Sequence, residues 1–237
     1  LLKKGQAISG AVIYIPHKWQ LKPFSGMEAK EQQTEMVVPA AAASSNSTTP
    51  TIKVAALCGS LRKASFNRGL IRCATELCDE FIPGMRVEYI DTEHLPFVNT
   101  DLEAGRTHPP VVEAFRRKIR DADCVLFATP EYNYSVPAPL KNAIDWASRP
   151  PNVWADKAAA IMSAAGGSGG SRAQQHLRQI GVFLDLHFIN KPEIYIIAKH
   201  PQKKFDIEGN LIDPDIKERL KLLLLSLQAF TLRLRST

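Results

Sequence analysis

The sequence predicts an α/β fold in which a five-stranded parallel sheet carries helices on both faces. Three observations lead there. Short apolar runs alternate with amphipathic stretches from Thr51 onward. The runs are apolar on successive residues, so strands made from them have no side that can face water. The intervening stretches place their apolar residues three and four apart, the helical period. Such β–α alternation folds as a parallel sheet with crossover helices.

The elements follow in order. IKVAALC at 52–58 is a buried strand ending in a Gly-Ser turn. A helix then sets Leu70, Cys73, Ala74, Leu77 and Cys78 on one face. RVEYI at 86–90 is the second strand, and a proline-containing loop leads to a helix over Val111–Arg120. Strand CVLFAT at 124–129, a helix over Ala138–Ala147 and strand KAAAIMSA at 157–164 come next. A glycine loop, a helix over Ser171–Ile180, strand IYIIA at 194–198 and a helix over Ile216–Leu227 complete the set.

Composition limits the function classes. The 237 residues are 45% hydrophobic and 23% charged, with 13 Gly and 16 Pro, which excludes disordered, collagen-like and disulfide-dense chains. No apolar run approaches the roughly 20 residues needed to span a bilayer, so a soluble protein is expected, with no integral membrane association. Net charge is +6, from 30 basic and 24 acidic residues. The one basic knot, Arg116, Arg117, Lys118 and Arg120, lies on a helix with Val112, Phe115 and Ile119 facing inward. It reads as a solvated face, not as a nucleic-acid patch. Cys58, Cys73, Cys78 and Cys124 lack CxxC spacing and sit in apolar runs, as reduced core cysteines of an intracellular protein do. The six histidines show no metal-ligand spacing, and no metal site is expected. Residues 1–50 differ from the rest: AAAASSNSTTP at 40–50 has linker composition, and MEAKEQQTEM ahead of it shows no apolar face. The stretch is read as a flexible or non-native extension, with Met27 a candidate start, and residues 51–237 as the folded domain. A cytosolic protein is expected, at most peripheral to a membrane.

In a parallel sheet of this kind ligands bind at the carboxyl ends of the strands, and three loops leaving those ends have unusual compositions. The first, Gly59 to Arg68, runs into a helix that Ser65 or Asn67 can cap. A capped turn does not explain Arg62, Lys63 and Arg68, which crowd a helix end already positive at a cost of about 0.3–1 kcal/mol each. A bound phosphate compensates them. GxxxxGK[ST] and GxGxxG are both missing, so neither an ATPase loop nor a dinucleotide fingerprint is present. The second loop, Thr129 to Pro139, is stiffened by prolines and offers Tyr132 and Tyr134 as flat surfaces, although tyrosines packed on neighbouring elements read the same way. The third, Ala164 to Ser171, has four glycines that allow close backbone approach, as does a plain flexible turn. An anion cradle, a rigid aromatic loop and a glycine loop on one edge suit a phosphorylated planar cofactor, and FMN fits.

GSLRKASFNR, TPEYNYSVPAPLKNAIDW and AAGGSGGSRAQQHLRQI, each following a strand, resemble the NADPH-dependent FMN reductase family of flavodoxin-like proteins. The resemblance covers residues 52 to 230 and implies a three-layer sandwich with strand order 2-1-3-4-5. It puts Ser60, Arg62, Ser65, Asn67 and, at the margin of the set, Arg68 around the FMN phosphate. Pro130, Glu131, Tyr132 and Asn133 would border the isoalloxazine ring, mainly through backbone groups, and Ala165, Gly166, Gly167 and Ser168 its other edge. It also implies NADPH or NADH as donor, quinones as acceptors and ping-pong two-electron transfer, with no catalytic side chain because the flavin carries the chemistry. A homotetramer or dimer is implied, with the helix after the glycine loop at an interface and Arg172 paired to Glu193 across subunits. Asp145 and Trp146 read as structural. Lys141 and Arg149 are candidates for an adenosine 2′-phosphate only by charge. The competing expectations are a flavodoxin-type electron carrier, which is typically acidic, and a broad-specificity chromate or azo reductase.

Overall fold

The structure, a computed structural model, describes residues 51–105, 107–198 and 202–236; the reading of residues 1–50 lies outside these. Strands β1 (Ile52–Cys58), β2 (Met85–Ile90), β3 (Cys124–Ala128), β4 (Ala158–Ala165), β5 (His187–Phe188) and β6 (Ile194–Ile197) form one parallel sheet. Helices α1 (Phe66–Phe81), α2 (Pro110–Arg120), α3 (Ala138–Ser148), α4 (Ser171–Leu184) and α5 (Pro214–Arg235) cover it. The order is β2-β1-β3-β4-β5, with β6 also on β4, which bears out the order 2-1-3-4-5.

The sheet is buried because alternate residues of each strand feed two separate cores. Val54, Ala56, Leu126 and Ala160 pack under α1 and α5 with Leu70, Ala74, Leu220 and Leu224. Ala55, Leu57, Val125 and Phe127 pack on the other side with Phe115, Leu140, Ile144 and Leu177 from α2, α3 and α4. This is the period-two pattern of a strand covered on both faces. All four cysteines are buried and free. Burial pushes the Cys73 thiol up to about 11 and those of Cys78 and Cys124 up to about 12.

Four features depart from the sequence reading, the first being α5, which is expected over Ile216–Leu227 but runs from Pro214 to Arg235. The fifth strand position is shared: β5 pairs with Ala158 and Ala159, and β6 with Met162 to Ala165. Between them lies Pro192, which has no N–H to give a ladder. Helix α4 runs past Ile180 to Leu184 because Gly181 is used for packing, not termination. A Cβ there would lie 2.2 Å from the Phe188 ring. Arg116 is not on a solvated face. It is 1% exposed and donates to the carbonyls of Trp146, Arg149 and Pro151 at 2.8–2.9 Å. It thereby satisfies carbonyls that the end of α3 leaves without helical partners. Lys118 and Arg120 do stay at the surface, paired with Glu88 and Glu113.

One packing contact carries the fold into the ligand edge. The hairpin loop after β6, tied by a Phe205–Leu211 bridge, lies directly on the start of α1. A Cβ on Gly69 would fall 1.7 Å from the Gly209 carbonyl oxygen. Gly69→Ala therefore has to push backbone from backbone. We expect a loss of about 1–3 kcal/mol, read as a lowered midpoint in denaturant unfolding with an unchanged slope.

Candidate functional site

The three loops converge at the carboxyl edge of β1, β3 and β4. Gly59 lets the first loop meet the second: a Cβ there would stand 3.0 Å from Pro130 and Thr129 and 3.2 Å from Pro137. Asn67 joins the first loop to the third. It exchanges two 2.9 Å hydrogen bonds with the backbone of Ala164, its amide donating to the carbonyl and its oxygen accepting from the N–H. The Asn67 side chain is thus buried and spent on the scaffold.

Among the described residues no side chain caps α1. Ser65 occupies the N-cap position in extended backbone but makes no side-chain capping bond, and the first turn holds no acid. The simple capped turn, the alternative to a phosphate site that the loop's sequence leaves open, is thus not what forms. The free amide donors of a first turn face a loop in which Ser60 is buried and Arg62 and Lys63 are exposed. The Arg62 guanidinium lies 5.5 Å from the Phe66 ring centroid and has no carboxylate partner among the described residues. Arg68 points elsewhere, to the Tyr89 hydroxyl of β2 at 2.9 Å and to Asp91 at 3.9 Å.

The second loop turns tightly at Tyr132–Ser135, closed by reciprocal backbone bonds of 3.2 and 3.0 Å. Asn133 and Tyr134 hold positive φ angles of 49° and 65°, a conformation disfavoured for side chains larger than glycine. Helix α4 braces the turn: Arg172 lies 4.1 Å over the Tyr134 ring, and His176 Nδ1 is 2.9 Å from the Ser135 hydroxyl. Tyr132, Asn133 and Tyr134 stay exposed, and Pro130 is buried.

Glu131 works through its side chain as well as its backbone, a role that its place in the sequence does not announce. The carboxylate accepts from Ser168 Oγ at 2.8 Å, from the backbone N–H groups of Arg172 and Ala173 at 2.9 and 3.3 Å, and from the Arg172 guanidinium at 3.1 Å. Burial opposes its ionisation, but the bonds from Ser168, Ala173 and Arg172 prevail and hold the carboxyl below the usual range. Glu131 is in effect the cap of α4, supplied from another loop. In the third loop Gly170 takes φ 91° against Ser163, while nothing lies within 4 Å of a Cβ built on Gly166 or Gly167. Ala165 ends β4 in the sheet.

Between the second and third loops opens a cavity of about 530 Å³, walled by Glu131, Asn133, Tyr134, Gly166, Gly167 and Arg172. Its size falls within the ordinary range for a small-molecule site. The bare cationic helix start and this open-walled cavity fit the two halves of a phosphorylated planar group such as FMN. Lys141 and Arg149, the charge-only candidates for a nucleotide phosphate, already hold Asp145 at 2.8 Å and Glu103 at 2.6 Å. Trp146 is structural, its indole N–H on the Pro96 carbonyl. Arg172 and Glu193, expected to pair across subunits, have partners within the chain: Glu131 for one and Lys191 for the other.

Comparison with known proteins agrees with this geometry. A family model described as NADPH-dependent FMN reductase matches residues 52–201. An NADPH:quinone oxidoreductase of Arabidopsis thaliana is 68% identical over 186 residues, covering 78% of this chain and 95% of the relative. An NAD(P)H:quinone oxidoreductase of Solanum tuberosum is 66% identical, covering 78% and 96%. Among solved structures, the flavoenzyme NAD(P)H:(acceptor) oxidoreductase FerB of Paracoccus denitrificans superposes with a TM-score of 0.65 at 31% identity, covering 78% of this chain and 98% of FerB. With its loops, sheet order and sequence in agreement, the chain belongs to the NADPH-dependent FMN reductase family.

Proposed function

We propose that the protein is an FMN-dependent NAD(P)H:quinone oxidoreductase that reduces quinones by two electrons. The observation that carries this reading is the uncapped, cationic start of α1 beside a ring-sized cavity, in a chain 68% identical to a plant quinone oxidoreductase. FMN, when bound, supplies the site that accepts hydride from NAD(P)H and passes it to the quinone.

The chain's own residues bind and orient. Ser60, Ser65 and Arg62 would receive the phosphate at the free N–H groups of α1. Arg68, held by Tyr89, adds positive potential from one side without reaching for it. Gly166 and Gly167 let the backbone lie against the ring edge, and Pro130 and Glu131 fix that backbone from the other loop. Glu131 restrains Ser168 and the first turn of α4, so the cavity wall needs little reorganisation when a ring enters. Tyr132 and Tyr134, exposed on a braced turn, offer flat faces to the nicotinamide and then to the quinone. The two would occupy the same space in turn.

The protein is also proposed to self-associate through α4. Val182 and Phe183 are 82% and 85% exposed side by side on that helix, apolar area that a symmetric contact would bury twice over. Since Arg172 is engaged with Glu131, this apolar pair is the better place to probe assembly.

Three outcomes are expected. Wild-type protein binds FMN more tightly than riboflavin, and Arg62→Ala weakens FMN binding by about 1.5–3 kcal/mol, the range for a hydrogen bond to a charged group; equal titration by both flavins would count against the phosphate site. The purified, FMN-loaded protein oxidises NADPH with a quinone and no added reductase, giving parallel initial-rate lines. Intersecting lines reject the shared site, and no turnover leaves a carrier. Light scattering finds an oligomer, and Phe183→Asp moves it toward a monomer near 26 kDa; a wild-type monomer rejects the assembly.

A further inference from the structure

A second cavity, of about 360 Å³, lies beside the first loop and is separate from the ring-sized one. Phe66, Ala198, Lys203, Lys204, Phe205 and Asp206 wall it. It adjoins the same sheet edge, for the Ala198 N–H donates to the carbonyl of Ala165, where β4 enters the glycine loop, at 2.8 Å. Its walls are fixed. Phe66 stacks on Phe205 with centroids 4.4 Å apart and planes 20° from parallel. The Lys204 carbonyl accepts from the Ile212 N–H at 2.9 Å, and Gly209 sits so close to Ala64 that a Cβ would lie 2.7 Å from its carbonyl oxygen.

The described residues make little use of the charge here. Three other lysines hold carboxylates: Lys118 has Glu88, Lys141 has Asp145 and Lys191 has Glu193. Among the described residues, Lys203 and Lys204 have no ion-pair partner. The one acid in the wall, Asp206, turns both oxygens to Asn210, at 2.7 Å to its N–H and 2.8 Å to its amide, and Asn210 in turn accepts from Arg72 at 2.7 Å. Arg62, 5.5 Å from the centroid of the Phe66 ring, is a third cation near this wall. A rigid aromatic wall with two unpaired ammonium groups suits a nucleoside that carries a phosphomonoester, since the base covers apolar surface and the dianion takes the lysines. A ribose 2′-hydroxyl would instead be matched by a free carboxylate, and the only one here is occupied.

We propose that this cavity is the subsite for the adenosine 2′-phosphate of the electron donor, with Lys203 and Lys204 binding the phosphate and Phe66 and Phe205 walling the adenosine. The assignment rests on the proposed function, which makes NAD(P)H the donor, and it selects NADPH over NADH. FMN also carries a phosphomonoester, so the test has to separate the two.

The test uses the full-length, FMN-loaded protein. Calorimetric titration with adenosine 2′,5′-bisphosphate and with adenosine 5′-monophosphate should show the bisphosphate binding about tenfold or more tightly. In the double variant Lys203→Gln/Lys204→Gln that preference should disappear, and the ratio of kcat/KM for NADPH to that for NADH should fall about tenfold. FMN affinity, measured separately on stripped protein, should be the same in variant and wild type. Equal wild-type affinity for the two adenosine nucleotides overturns the proposal, as does a preference that survives the double substitution. A matching loss of FMN affinity overturns it too, and gives the lysines to the cofactor phosphate. Failure to oxidise either dinucleotide defeats the proposed function, whereas turnover of both with an unchanged ratio defeats this subsite alone. Both lysines carry their charge at the surface, so a folding defect is not expected; Lys203→Glu/Lys204→Glu, with the same fold, should deepen the loss for NADPH.

Discussion

The ligand edge depends on one carboxylate. Glu131 belongs to the loop after β3, yet its oxygens are bonded to the glycine loop and to the start of α4. A helix start needs acceptors for its first amides and favours negative charge, and the sequence of α4 supplies neither, having Gly170 at its N-cap and no acid in its first turn. Glu131 meets both needs from outside. The second and third loops therefore cannot move independently, and the Arg172 guanidinium, drawn to the same carboxylate, is placed over Tyr134. That contact, with His176 on Ser135, offsets the strain of two non-glycine residues at positive φ.

The two helix starts at this edge illustrate opposite solutions to the same electrostatic problem. Helix α4 is satisfied internally and presents a neutral, open wall. Helix α1 is left unsatisfied, and cations are added to it instead of acids. Asn67, inside the first turn of α1, does not serve that helix start: its side chain is committed to Ala164 and holds the first loop to β4. An anionic end of a ligand is thus favoured at α1 and a flat, uncharged end at the glycine loop, the orientation that the proposed FMN site would impose before any chemistry is considered.

How much of this is legible in the sequence follows from the range of each interaction. The strands β1, β3 and β4 are continuous apolar runs and are readable locally, as are the three loops, because glycine, proline and unbalanced charge are local signals. The split fifth position is not: His187-Phe188 is too short to show a period, and its pairing is decided by the length of β4. The burial of Arg116 and the side-chain role of Glu131 escape the sequence for a related reason. Each is a charged residue whose partners are backbone groups distant in sequence, 30 to 35 residues away for Arg116 and 41 to 42 for Glu131. Backbone amides and carbonyls carry no sequence signature, so a buried charge that serves them looks like a surface charge. The nearest available signal was the incomplete capping of the helices involved, which is visible in α4 as a start without an acid.

The same distinction bears on the net charge. Read from composition, +6 is a diffuse property that bears on solubility and association. In the fold it is sorted. Arg116 is spent on carbonyls at the end of α3, and Lys118, Arg120, Lys141, Arg149, Arg172, Lys191 and Arg235 are spent on carboxylates. Arg62 and Lys63 ahead of α1, and Lys203 and Lys204 in the hairpin loop packed against it, have no such partners among the described residues. Field from unpaired charges adds where they cluster and is weakened by salt only beyond about 8–10 Å. Other described cations without a carboxylate partner, such as Lys53, Arg86, Arg117 and Lys217, are scattered over β1, β2, α2 and α5; the four named here share one edge, so two loops distant in sequence become a single anion-attracting rim where the proposed dinucleotide and flavin phosphate would meet.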